Sequence, residues 1–148
     1  MSTVERLRRP SPVQYIDTCE ELISHTTFYL KRLPKSDRFI WVIDLCTLVK
    51  QIGLECVKCN VIKINFEQDF FKRREHLQTA LGCLDTLEFY LGILAKNENY
   101  YSAISGNSDN PDYPFIHWGY LLDTERNLIL GVLKKDEEKY NQLFHKAP

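Results

Sequence analysis

A chain of 148 residues with a formal charge of −1 is sized for one domain and is long enough to close a core without disulfide or metal staples. So balanced a charge excludes a strong overall field for nucleic acid and leaves any polyanion contact to local patches. Six prolines and six glycines in the whole chain favour a few long elements over many short strands.

Residues 1–10, MSTVERLRRP, carry Arg6, Arg8 and Arg9 without an apolar run, which predicts a basic arm rather than a signal peptide. No stretch approaches the roughly 20 apolar residues that would span a bilayer. A cytoplasmic protein with no membrane partner is therefore expected. From residue 11 to 140 the pattern predicts helices at about 12–33, 37–65, 67–96 and 113–140, followed by a C-terminal tail over 141–148.

Ser11-Pro12 is a helix-start signal. Ile16, Cys19, Ile23, Thr26 and Leu30 then recur at three- and four-residue steps beside a second seam of Tyr15, Leu22, Tyr29 and Leu33. The helix should stop before Pro34. The segment Leu33 to Phe39 is so short that the second helix must turn back along the first. That helix carries Trp41, Leu45, Leu48, Val49, Ile52, Cys56 and Cys59, flanked by Ile43, Cys46 and Val57. A stripe that wide predicts burial on two sides, inside the protein and against a neighbour. The third helix turns Phe70, Leu77, Leu84, Leu87, Leu91 and Leu94 inward, and no proline or glycine marks where it parts from the second; only Asn60 and Asn65 hint at a break. Residues 97–114, rich in Asn, Ser, Gly and Pro, read as the one true loop. The last helix turns Trp118, Leu122, Ile129, Val132 and Leu133 inward. The expected fold is all-α, an antiparallel up-down-up-down four-helix bundle.

Chemistry is sparse. His25, His76, His117 and His145 all lack the glutamate three residues before them that a di-iron bundle needs. Phosphate-loop, zincin and nucleophile-elbow patterns are missing too. Cys19 and His25 lie six apart, on different sides of one helix. Five cysteines without a secretory signal read as reduced thiols. Cys56-x-x-Cys59 has no second pair and reads as small core or interface residues, with metal or redox chemistry as the other reading. No catalytic residue, metal or cofactor is expected. Among polar residues near the seams, Asp44, Asp85, Asp123 and Arg126, the arginine needs an acidic partner, with Asp44 and Asp85 as candidates. Gly53, Gly82, Gly92, Gly119 and Gly131 lie inside helices at about 1 kcal/mol each relative to alanine. Close helix approach would offset that cost, at Gly53 and Gly82 above all.

Arg6, Arg8, Arg9, Lys72, Arg73, Arg74, Lys134 and Lys135 gather at one pole of such a bundle, among Glu67, Asp69, Glu75, Asp136, Glu137 and Glu138. That pole is either a solvated face or a contact for phosphates that fixes position without reading bases.

The stretch Tyr29-Leu30-Lys31-Arg32-Leu33-Pro34-Lys35-Ser36-Asp37-Arg38-Phe39 resembles the first turn of the Avd-like family, the accessory variability determinants of diversity-generating retroelements. The leucine-rich segment His76 to Lys96 and the segment Trp118 to Lys135, with its aspartate–glutamate step and late Gly131, are similar to that family's third and fourth helices. The resemblance implies a non-enzymatic four-helix protomer in a homo-oligomeric ring, usually a pentamer. That ring binds a reverse transcriptase and its template RNA during mutagenic cDNA synthesis. It makes Lys35, Asp37, Arg38 and Phe39 the family-like positions. In such a ring Gly53, Cys56 and Gly131 are expected at the interface between copies. The sister reading is a four-helix protein of the kind encoded in intervening sequences of 23S ribosomal RNA genes, with no polymerase partner. The near-neutral charge and the long 97–114 segment depart from the family pattern, and the first of these weighs against direct RNA binding.

Overall fold

The computed structural model describes residues 13–106 and 108–145, and every element among them is helical. The first helix, α1, spans Gln14–Leu30 and buries Tyr15, Cys19, Leu22, Thr26 and Leu30. Both seams read from the sequence therefore face inward. The helix ends three residues before the expected boundary because its last turn tightens: Arg32 N–H bonds to Tyr29 O and Leu33 N–H to Leu30 O, the i→i+3 pattern common at helix ends. Leu33 is still buried.

The second helix does not start as one regular element at residue 37. Lys35–Asp37 forms a 3₁₀ turn, Arg38–Val42 a wider π-helical segment, and only then does α2 run, over Ile43–Val61. It also stops four residues short of the expected position 65. The break has a definite cause that neither proline nor glycine supplies. The Asp69 carboxylate accepts the backbone N–H groups of Asn65 (3.0 Å) and Phe66 (2.9 Å), satisfying donors that open the next helix. Those two bonds hold the Asp69 carboxyl below its ordinary range.

The third helix, α3, covers Glu67–Lys96 and buries the six inward positions expected of it, together with Ala80. Residues 97–114 are not a plain loop. Asn97 caps a short helix, α4 (Glu98–Ser105), by accepting the Tyr100 N–H at 3.1 Å. Gly106 closes it at φ +61°, a backbone state that favours glycine. Ile104 of α4 is fully buried, and its carbonyl accepts from Arg32 Nη1 at 2.8 Å. Tyr100 OH donates to Asp37 in the first turn. The segment is thus packed structure that braces the start of the second helix. The last helix, α5, spans Tyr113–Phe144 and outruns the expected end at 140, where Tyr140 stacks on Phe70 at 4.4 Å.

Helix α1 packs against α2 and α5, and α3 packs against the same two. The apolar core lies among all four long helices. Within it Trp118 Nε1 of α5 donates to Thr26 Oγ1 of α1 at 2.9 Å. Replacing Thr26 with valine keeps the shape and removes the acceptor, so the indole N–H is stranded. Urea unfolding is expected to show a loss of about 1–3 kcal/mol. A loss under about 0.5 kcal/mol would mean that the indole finds another partner.

Candidate functional site

The core of α2 uses Leu45, Val49, Ile52, Cys56 and Cys59. Residues offset from these by about half a turn should be polar on an ordinary surface helix. Here many are not. Phe39 leaves 82% of its surface in solvent and Val61 73%, and Ile43, Leu54 and Val57 are each about half exposed. At 100° per residue the four on α2, Ile43, Leu54, Val57 and Val61, fall on one outward face with Lys50 among them, and Phe39 precedes them in the π-helical segment. The wide stripe read from the sequence is therefore real, and its outer half is bare. Ile43 and Val57 were legible in that stripe. Leu54 and Val61 were missed, although the spacing 54, 57, 61 was the signal for them.

Helix α5 carries a second outward set, Ile116 and Tyr120 at nearly two-thirds exposure and Leu130 at about half. The principal neighbours of α2 are α1 and α3, so these two patches sit on helices that are not adjacent.

The family-like turn is itself exposed. Lys35 and Arg38 project into solvent, and Asp37 is held by Tyr100. The turn ends on the bare ring of Phe39. Nothing in the sequence revealed that α4 would brace it.

The basic residues divide. Lys72, Arg74, Lys134 and Lys135 are exposed, as a solvent or phosphate contact requires. Arg73 is turned inward, which corrects the expectation that it contacts nucleic acid. Its guanidinium meets Asp136 through Nε at 2.7 Å and Nη2 at 3.2 Å. Its Nη1 donates to the carbonyls of Cys59 and Ile62 at 2.9 and 2.8 Å. Burial is the largest single influence and works against the charge, but the hydrogen bond and negative charge of Asp136, with the neighbouring Cys59 and Tyr15, together outweigh it and raise the Arg73 pKa. Arg6, Arg8 and Arg9 lie outside the described residues.

Arg126 finds Asp85 at 3.0 Å, together with Glu88 and its own-helix neighbour Asp123. Asp44 is not its partner, because α2 is not a main neighbour of α5. A pair that sequence reading missed joins His76 Nδ1 to Glu55 Oε2 at 2.6 Å across α2 and α3. Cys19 and His25 do diverge. The ring nitrogen Nε2 of His25 lies 2.9 Å from Pro114 O, while Cys19 faces Cys56 and Glu125.

Of the positions expected between copies, Gly131 is open, with nothing within 4 Å of where a Cβ would stand. Gly53 faces inward, where a Cβ would meet Ile23 Cδ1 at 3.0 Å and Cys19 Sγ at 3.7 Å. It is a close-approach point between α1 and α2. Cys56 is fully buried in the chain's own core and offers no surface to a second copy. Gly82, expected as a packing point, is likewise open. No helix among the described residues is long and apolar enough to cross a membrane. Comparison with family models, with characterised proteins and with solved structures gives no match to this chain.

Proposed function

We propose that this chain is an antiparallel up-down-up-down four-helix bundle that assembles with copies of itself into an adaptor ring and serves a reverse transcriptase as an Avd-like accessory protein. The observation that carries this reading is the outward apolar face of α2, from Ile43 through Leu54 and Val57 to Val61, with the exposed Phe39 just before it. Fully covering one such side chain is worth about 1.5–3 kcal/mol, and four aligned on one helix exceed what an isolated surface needs. The occupant is a second copy. Its outward patch on α5 is apolar too, and two different patches on non-adjacent helices suit a head-to-tail contact, which closes into a ring when the rotation permits.

The bundle topology is supported by which residues meet. Tyr15 bonds to Asn60, Glu55 to His76, Arg73 to Asp136 and His25 to Pro114. In each pair an early residue of one helix meets a late residue of the other. The reverse-transcriptase role rests on the P-K-S-D-R-F turn, which leaves Lys35, Arg38 and Phe39 accessible to a partner. An RNA contact is supported at the opposite pole, where Arg74 lines a groove of about 390 Å³ with Phe70, Phe71, Leu133, Glu137 and Tyr140. A cation for a phosphate beside aromatic faces for bases suits single-stranded RNA.

Light scattering on the purified chain tests the assembly. The expected mass is that of a ring, five protomers by the family resemblance. The Leu54→Glu/Val57→Glu double variant should fall to a monomer with unchanged helicity. A monomeric wild-type chain would overturn the adaptor reading. Co-expression with a reverse transcriptase encoded beside the gene tests the partner. An intact ring that fails to co-purify with it would redirect the reading to the ribosomal-intervening-sequence proteins.

A further inference from the structure

Glu125 lies in the middle of α5 with 0% exposure, and among the described residues neither of its carboxylate oxygens has a well-formed hydrogen-bond partner, the Cys19 thiol alone approaching it. A buried carboxyl without a partner is costly, several kcal/mol when ionised. Natural cores retain one where something else uses it. The side chain is aimed at two thiols. Cys19 of α1 and Cys56 of α2 are themselves buried, and one donor atom from each of the three residues lies within 4.8 Å of the others. The approach of α1 to α2 at this level depends on Gly53, whose missing Cβ would crowd Ile23 and stand against Cys19 Sγ.

We propose that Cys19, Cys56 and Glu125 bind a single zinc ion that ties α1, α2 and α5 together. The donor set decides the class of metal. Two thiolates favour a soft or borderline ion over magnesium or calcium, and the carboxylate oxygen favours zinc over cuprous copper. Tetrahedral zinc with bonds of about 2.3 Å to sulfur and 2.0 Å to oxygen needs donors roughly 3.5–3.8 Å apart. The observed spread of up to 4.8 Å therefore requires a contraction of at most about 1.3 Å, within reach of small side-chain rotations. Binding converts both thiols to thiolates and releases their two protons to solvent, with a third if the carboxyl holds one. Three protein donors leave the fourth zinc position to water or a small ligand. A disulfide between Cys19 and Cys56 would leave Glu125 as stranded as before, so the metal accounts for more of the site.

The test uses cobalt(II) alone as the probe, on the full chain with Cys46 and Cys83, the two partly exposed thiols, replaced by serine. The chain is refolded under reducing conditions with the ion present, since the site is closed to solvent. The expected result is one cobalt per chain, with a thiolate-to-metal charge-transfer band and tetrahedral d–d bands that one equivalent of zinc abolishes. Glu125→Gln should weaken cobalt binding by at least about tenfold, a cost met even for residues one step removed from a metal. Cys56→Ser should remove the charge-transfer band, with helicity followed by circular dichroism. Absence of that band from the parent protein would overturn the proposal without any variant. So would bands that survive unchanged in Cys19→Ser/Cys56→Ser.

Discussion

Replacing Arg73 with methionine is expected to lower stability by about 3–5 kcal/mol, the cost of stranding one member of a buried ion pair. Four hydrogen bonds leave with the guanidinium, two to Asp136 and one each to the Cys59 and Ile62 carbonyls. Asp136 keeps only 7% of its surface in solvent, so its carboxylate would be left buried without a counter-ion. The two carbonyls lie at the C-terminal end of α2: Cys59 O also takes the Ile62 N–H at 3.1 Å, and Ile62 is the residue that follows the helix. One side chain thus joins the end of α2, the start of α3 and the last third of α5. Against a typical total of 5–15 kcal/mol, its loss removes a large share. The measurement is a shift of the urea midpoint with the slope unchanged. The Arg73→Met/Asp136→Leu double variant should recover much of the loss, since apolar replacement of both partners is often neutral or better. Arg74→Ala, one position along and exposed, should stay within about 0.5 kcal/mol of wild type. If Arg73→Met cost no more than Arg74→Ala, the pair would be worth no more than a surface bridge.

That contrast also marks what the sequence could reveal. Lys72-Arg73-Arg74 reads as one basic run, and charge alone does not separate its members. Helical spacing does: Phe70, Arg73 and Leu77 follow each other at three and four residues, on the seam that is buried, while Lys72 and Arg74 point away. The same spacing carried the core of every long helix, but it left Asp44 and Asp85 equal as partners for Arg126, a choice that the packing of α5 against α3 makes for Asp85. Where spacing gave no information, the reading failed. The end of α2 depends on Asp69 taking two backbone donors from upstream, a local bond that hydrophobic periodicity does not register. Helix α4 sits in a stretch whose composition favours loops, and its order comes from burying Ile104 and from Arg32 and Tyr100, contacts across the fold. The bare stripe on α2 was half legible, because an outward apolar face and a buried one share a period. Glu125 was legible by position, falling on the seam of Trp118, Leu122 and Ile129, but its lack of a partner is a property of three helices together.

The metal-free protein is expected to lose stability as pH rises from about 4.5 to about 8, and Glu125→Gln is expected to remove that dependence. Burial pushes the Glu125 carboxyl from 4.5 up to about 8, with the neighbouring Cys19 only partly opposing it. In the unfolded chain the carboxyl ionises near 4.5, whereas in the folded chain it keeps its proton to about 8. Between those values the unfolded state binds fewer protons, so each added unit of pH favours unfolding. Below the window both states hold the proton and the full stability is present; above it both are ionised and the loss is complete. The steepest slope for one group is about 1.4 kcal/mol per pH unit, which makes the loss across the window a matter of several kcal/mol. Glutamine matches the shape without the titration. Its own buried amide lowers stability equally at every pH, so it shifts the curve without tilting it. Urea midpoints of both proteins at pH 5, 6.5 and 8, with a chelator present, isolate the effect. Other titrating groups, His25 among them, cancel in the difference between the two. The gap should move steadily in favour of the glutamine variant as pH rises. Parallel profiles would mean that the folded carboxyl is already ionised at neutral pH, and that water or a local opening supplies the partner it lacks within the core.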